Sequence, residues 1–141
     1  MSPAQLENGS LNQKRADMNK EQITKKTEIA IEDQLHKRGY ATCIDCLVAL
    51  GWLKQRDIEG WRKGSIDHLE RVCCTSTAHL TTFLKAYHRY AKSRGYALRW
   101  TAYQHKKSKR PLLFSLHHDA MAEKRYAMHI VGMERKQLIE N

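Results

Sequence analysis

The four cysteines are the first residues whose type and spacing suggest chemistry. Cys43 and Cys46 form a Cys-x-x-Cys pair, and Cys73 and Cys74 are adjacent. The count suits tetrahedral zinc. Two features argue against a metal: Cys43, Cys46, Leu47 and Leu50 share one helical face, as core cysteines do, and neighbouring cysteines chelate one ion only with strain. His117-His118-Asp119, Glu123 and His129 also carry metal-binding groups. On one helix, however, His118 and His129 would stand about 16 Å apart at 1.5 Å per residue, and Glu123 would point elsewhere. The expectation is no metal and no cofactor. No Gly-rich phosphate loop or nucleophile elbow is present, all four cysteines read as buried, and nothing marks the chain as an enzyme.

Charge is the stronger signal. The 141-residue chain carries 25 Lys and Arg against 15 Asp and Glu, a formal net charge of +10. No acidic residue lies between Glu70 and Asp119, while Arg71, Lys85, Arg89, Lys92, Arg94, Arg99, Lys106, Lys107, Lys109 and Arg110 all do. The basic residues outside that stretch balance all the acids, so the whole net charge belongs to one third of the chain. Five of the eight histidines lie there too, at 79, 88, 105, 117 and 118. Solvated surfaces mix both signs, and an acid-free stretch of this length points to a polyanion.

The elements that must position these charges follow from periodicity and caps. Residues 1–20 read as a polar, disordered tail, and 21–141 as a single domain. A helix from Glu21 carries Ile23, Thr27, Ala30, Ile31 and Leu35 at helical spacing and ends at Gly39. Thr42 caps a core helix over about 43–50, with Asp45 in a capping-box position, and Gly51 stops it. A short amphipathic turn with Ile58 and Trp61 closes at Gly64. These make a helical N-terminal part, 21–64. Ser65 should cap a helix with Ile66, Leu69, Val72 and Cys73 on one side. Thr75 or Ser76 starts the longest helix, which runs to about Arg94 with Gly95 beyond it. Leu98, Trp100 and Ala102, then Leu112, Phe114 and Leu116, alternate like strands, predicting a hairpin tipped by Lys106 to Arg110. Asp119 caps a last helix holding Met121, Ala122, Arg125, Tyr126 and His129, followed by a polar tail. Trp52, Trp61 and Trp100 read as core or domain-contact residues. The expected class is mainly α with a C-terminal β-hairpin.

Leu69, Cys73, Leu80 and Phe83 fall at the apolar positions of a helix-turn-helix, although Glu70 stands where a small residue is usual. With the Gly95-Tyr96 stop and the basic hairpin, residues 65–116 resemble winged-helix transcription regulators of the multiple-antibiotic-resistance type. The resemblance implies a second helix in the major groove and a wing on phosphate or in the minor groove. Carried onto this chain, the reading face would be Thr77, Ala78, Thr81, Thr82, Lys85 and Arg89, and the wing tip Lys106 to Arg110. Separately, Gly51-Trp52-Leu53, Trp61-Arg62, Leu69-Glu70-Arg71-Val72, Thr101-Ala102-Tyr103 and Phe114-Ser115 look like a group of small bacterial proteins with no assigned activity.

The functional expectation is a nucleic-acid-binding protein, a regulator on double-stranded DNA. Thr82 and Arg89 would reach bases, and Lys85, Lys92, Arg99, Lys106, Lys107, Lys109 and Arg110 would lie along the backbone. An RNA binder is the first alternative, with Arg99, Tyr103 and His105 stacking on unpaired bases. The second is a small interaction module or inhibitor docking its basic surface on an acidic protein. The reading admits a homodimer. No apolar run is long enough to span a bilayer, so no membrane partner is expected. The cysteine pattern makes a poor disulfide framework and suggests the cytoplasm.

Overall fold

The computed structural model describes residues 18–132. The elements run α1 (Lys20–Arg38), β1 (Tyr40–Ala41), α2 (Cys43–Ala49), α3 (Gln55–Arg62), a 3-10 turn (Leu69–Val72), α4 (Thr77–Arg94), β2 (Ala97–Trp100), α5 (Ala120–Tyr126) and β3 (Met128–Val131). The fold is mainly helical with a small antiparallel sheet in the order β1-β3-β2. Most of the expected N-terminal tail, and the polar C-terminal tail beyond Gly132, lie outside the described residues. Met18, assigned to that tail, is buried in the core. Among the described residues no helix is long and apolar enough to cross a membrane.

Local chemistry explains the helix limits. Asn19 and Gln22 form a reciprocal capping box at the start of α1, and Gly39 ends it in the left-handed region with φ 84°. The Thr42 hydroxyl accepts from Asp45 N at 3.1 Å. Thr42 N donates not to Asp45 but to Gln34 Oε1 of α1, at 2.9 Å. Ser76 caps α4 through His79 N, and Asp119 caps α5 through Met121 N. α1 and α4 pack together, burying Ile23, Thr27, Ala30 and Ile31 on one and Leu80, Phe83, Leu84, Tyr87 and Ala91 on the other. The Tyr87 hydroxyl, deep in this layer, faces the carbonyls of Ala41 at 3.1 Å and Met128 at 2.9 Å, tying α4 to β1 and β3.

Three expectations change. The helix expected from Ser65 is only the 3-10 turn Leu69–Val72. His68 forms a parallel bridge with Leu113, and the amides of Leu69 and Glu70 donate to Leu113 O and Phe114 O. Backbone donors committed to a neighbouring segment cannot extend a helix.

The expected hairpin partner of the Leu98–Trp100 strand is replaced. β2 pairs with β3 in the register Ala97↔Val131, Leu98↔Ile130, Arg99↔His129 and Trp100↔Met128. Only the hairpin's end forms, with Gln104 bridged to Pro111. Residues 113–116 are held by two carboxylates where a strand would have been. Glu123 accepts from Phe114 N at 2.8 Å and Ser115 N at 2.6 Å, and Glu70 accepts from Leu116 N at 2.7 Å. Glu70 also accepts from the Tyr126 hydroxyl at 2.8 Å. The helix-turn-helix position that wants a small residue therefore holds a clamp. His129, expected on the last helix, lies in β3.

Burial of two side chains also differs from expectation. Trp100 is 61% exposed, whereas Trp52 and Trp61 are core. Cys43 and Cys46 are buried, Cys73 is partly so, and Cys74 is exposed. Burial drives the Cys43 thiol well above its ordinary value and pushes Cys46 and Cys73 up to about 12. A maleimide at neutral pH should therefore modify Cys74 alone in the native protein, with the other three reacting only after unfolding, as read by intact mass against time. Fast labelling of Cys43 or Cys46 would contradict this packing.

Candidate nucleic-acid interface

α4 places its charges by helical period. Lys85, Arg89 and Lys92 recur at four and three residues, are exposed, and form one stripe opposite the buried face. Among the described residues none of the three side chains has an acidic or hydrogen-bonding partner, and α4 holds no acid. Of the acids of the packed helix α1, Glu32 accepts from the hydroxyls of Tyr90 at 2.7 Å and Tyr96 at 2.6 Å, and Asp33 pairs with Lys37 at 3.1 Å.

The end of α5 lies against α4 beside the stripe. His88 Nε2 meets Arg125 O at 3.1 Å, bringing Lys124 and Arg125 beside α4. Burial first, then the charges of Arg125 and Lys92, hold His88 below its ordinary value against the opposing effect of that hydrogen bond. The extra basic pair was missed in the sequence because it follows Asp119 and Glu123, outside the acid-free stretch.

Thr82 is placed differently from the cations. It is partly buried, and its hydroxyl donates to Ala78 O at 3.1 Å, an i−4 bond within its own helix. Thr81 does the same with Thr77 O at 3.1 Å.

The basic loop is ordered by a histidine. His105 Nδ1 accepts from the amides of Lys107 at 3.2 Å and Ser108 at 3.1 Å. Its Nε2 must then carry the proton, which it donates to Lys63 O at 2.7 Å. Gly64 makes the approach possible. It has φ +88°, and a Cβ there would sit 2.6 Å from His105 Nε2, so a side chain at this position would expel the ring. Lys106 N also donates to Arg62 O at 3.1 Å. The loop is thus fastened to the end of α3, and no hydrogen bond or ion pair of the described residues joins it to the α4 stripe. Lys107, Lys109 and Arg110 are exposed, whereas Lys106 pairs with Glu59 at 3.1 Å.

The proposed stacking trio does not form a platform. Arg99 is exposed on β2. Tyr103 is packed against Trp61 and Phe114, and its hydroxyl meets His129 Nε2 at 2.7 Å. His105 is the loop's fastening.

Between the loop, α3 and the sheet lies a cleft of about 600 Å³. It gathers Arg38, Arg62, Lys106 and Lys109 from three separate segments, with His129 on β3. Burial, with the nearby Arg38 charge, lowers the His129 pKa, and Asp45 opposes this. The sequence carries no local signal for the cleft, because its walls meet only through long-range contacts, the β1-β3-β2 pairing and the fastening of the loop to α3. Among the described residues no three ligand-type side chains converge as a metal site would need. No family model, curated protein or solved structure matches the chain.

Proposed function

We propose that this chain binds nucleic acid, duplex DNA in preference to RNA, by laying the exposed face of α4 along the sugar-phosphate backbone. One observation carries the reading: Lys85, Arg89 and Lys92 form a solvent-facing stripe without acidic partners on a helix that contains no acid. Exposed cations left uncompensated on one face raise the local anion concentration and give up condensed counterions when they meet phosphate. Lys124 and Arg125 lie beside the stripe, and Lys107, Lys109 and Arg110 offer a second contact. In the finer reading, a DNA-binding regulator of winged-helix type, α4 is the groove helix and the 106–110 loop the wing. The short 3-10 turn before α4 and the engaged Thr82 hydroxyl favour backbone tracking over base reading.

A second reading rests on Trp100, exposed on the edge strand β2. An indole exposed on a sheet edge suits stacking on unpaired bases. Competition at low salt separates these readings. A labelled duplex should be displaced by unlabelled duplex at lower concentration than by single-stranded RNA or by an acidic protein. Preferential displacement by RNA would favour Trp100, and preferential displacement by the acidic protein would favour an interaction module. No duplex binding at low salt would overturn the reading.

A further inference from the structure

The cleft beside the basic loop has a charge balance that α4 lacks. Two of its four cations are neutralised: Arg38 lies 2.6 Å from Asp45, and Lys106 lies 3.1 Å from Glu59. Arg62 and Lys109 have no acidic partner among the described residues. Lys109 lines the cleft from the turn that His105 fastens, where its backbone is left-handed at φ 64°. Two unneutralised cations at one opening match the charge of a phosphate monoester, and a guanidinium with an ammonium is a suitable pair of donors for its oxygens.

The rest of the wall is polar in a particular way. Gln55 and Gln104 both line the cleft, and neither amide has a hydrogen-bond partner among the described residues. Each presents a donor and an acceptor side by side, the pattern that meets the edge of a nucleobase. The volume, about 600 Å³, falls among small-ligand sites and exceeds what a bare phosphate needs.

We propose that this cleft is a nucleotide site, with Arg62 and Lys109 on the phosphate and the Gln55 and Gln104 amides on the base edge. The ligand chemistry is that of a nucleoside monophosphate, whether free or as the phosphorylated end of a strand. The site is built on α3, the loop and the sheet, so it stands apart from α4.

Calorimetric titration of the full chain tests it with adenosine 5′-monophosphate, adenosine, and a short single-stranded oligonucleotide with and without a 5′-phosphate. The monophosphate should bind at least about tenfold more tightly than the nucleoside, as loss of a charge-assisted contact predicts. Combined Arg62→Gln and Lys109→Gln should weaken it by about tenfold or more, whereas changing Lys85, Arg89 and Lys92 to Ala should leave it unaltered. Binding of the 5′-phosphorylated oligonucleotide but not its unphosphorylated form identifies a strand end as the source; binding of the mononucleotide alone identifies the free ligand. Should the Arg62 variant fail to fold, the unaltered chain gives the same information. Saturating monophosphate should slow acetylation of Lys109 relative to Lys85. No binding at millimolar nucleotide, equal binding by the double glutamine variant, or equal acetylation rates would overturn the site. Because the α4 variant tests the duplex-binding face separately, failure of one reading leaves the other distinguishable.

Discussion

Glu123→Ala should destabilise the fold by about 2–4 kcal/mol, because it removes two charge-assisted acceptors and strands the amides they serve. Those amides belong to Phe114 and Ser115, which are 3% and 4% exposed, so water cannot readily replace the carboxylate. The loss should spread beyond the loop. Phe114 stacks on Tyr126 with ring centroids 5.3 Å apart and packs against Trp61 at 5.0 Å. Trp61 in turn donates its indole N–H to Leu113 O at 2.8 Å. Glu123→Gln keeps one acceptor but turns an amide N–H2 toward a backbone donor, so it should recover less than half of the loss. Glu59→Ala breaks only an exposed pair with Lys106 and should leave the melting temperature unchanged, as surface ion pairs usually do. Urea titrations of the three variants, followed by near-ultraviolet circular dichroism, measure this. A Glu123→Ala variant as stable as the parent would mean that the 113–116 segment finds other partners for its amides.

The same carboxylate explains what was legible in the sequence and what was not. Helix limits are encoded within a few residues: Ser76 before α4, Asp119 before α5 and Gly39 after α1 each act on backbone groups next to them. The long face of α4, and therefore its cationic stripe, follows from a period of 3.6 residues that needs no tertiary information. Strand pairing carries no such local mark. The alternation Leu112, Phe114, Leu116 looks like a strand, yet from Phe114 onward its amides are taken by Glu123 and Glu70, side chains that arrive from α5 and the 3-10 turn. β2 finds its partner about thirty residues onward, in Met128–Val131. The short run Ile130-Val131 before Gly132 was the available β-branched signal, and the helix pattern leading into it concealed it. Trp100 was misplaced for a related reason. β2 is an edge strand, and alternation alone does not say which face of an edge strand is covered. The cleft is the least legible part, since Arg38, Arg62 and Lys109 are far apart in sequence and meet only once the sheet has formed and the loop is fastened to α3.

Replacing Lys85, Arg89 and Lys92 together with Ala should weaken duplex binding by about 10²–10³-fold at 0.1 M salt. The magnitude follows from counterion release: three phosphate contacts at about 0.9 ions each change the slope of log affinity on log salt by about 2.7. The slope itself should flatten by that amount, and the loss should apply to all sequences alike, as backbone contacts require. The fold should persist, because all three side chains are exposed and without partners among the described residues. Changing Lys107, Lys109 and Arg110 should have a smaller effect on the same slope, since the loop is fastened to α3 and no described contact joins it to α4. Lys106 should add nothing further, because its charge is already paired with Glu59. Lys25→Ala with Lys26→Ala supplies the control. Both lysines are exposed on α1, where Glu28, Glu32 and Asp33 share the helix, so phosphate there would meet mixed charge. Gel-shift titrations at several salt concentrations on these variants decide between a built face and a diffusely basic protein. A diffuse charge gives equal flattening from α1 and from α4. A built face gives flattening from α4 first, from the loop second and from α1 hardly at all, and any other order would remove α4 from the interface.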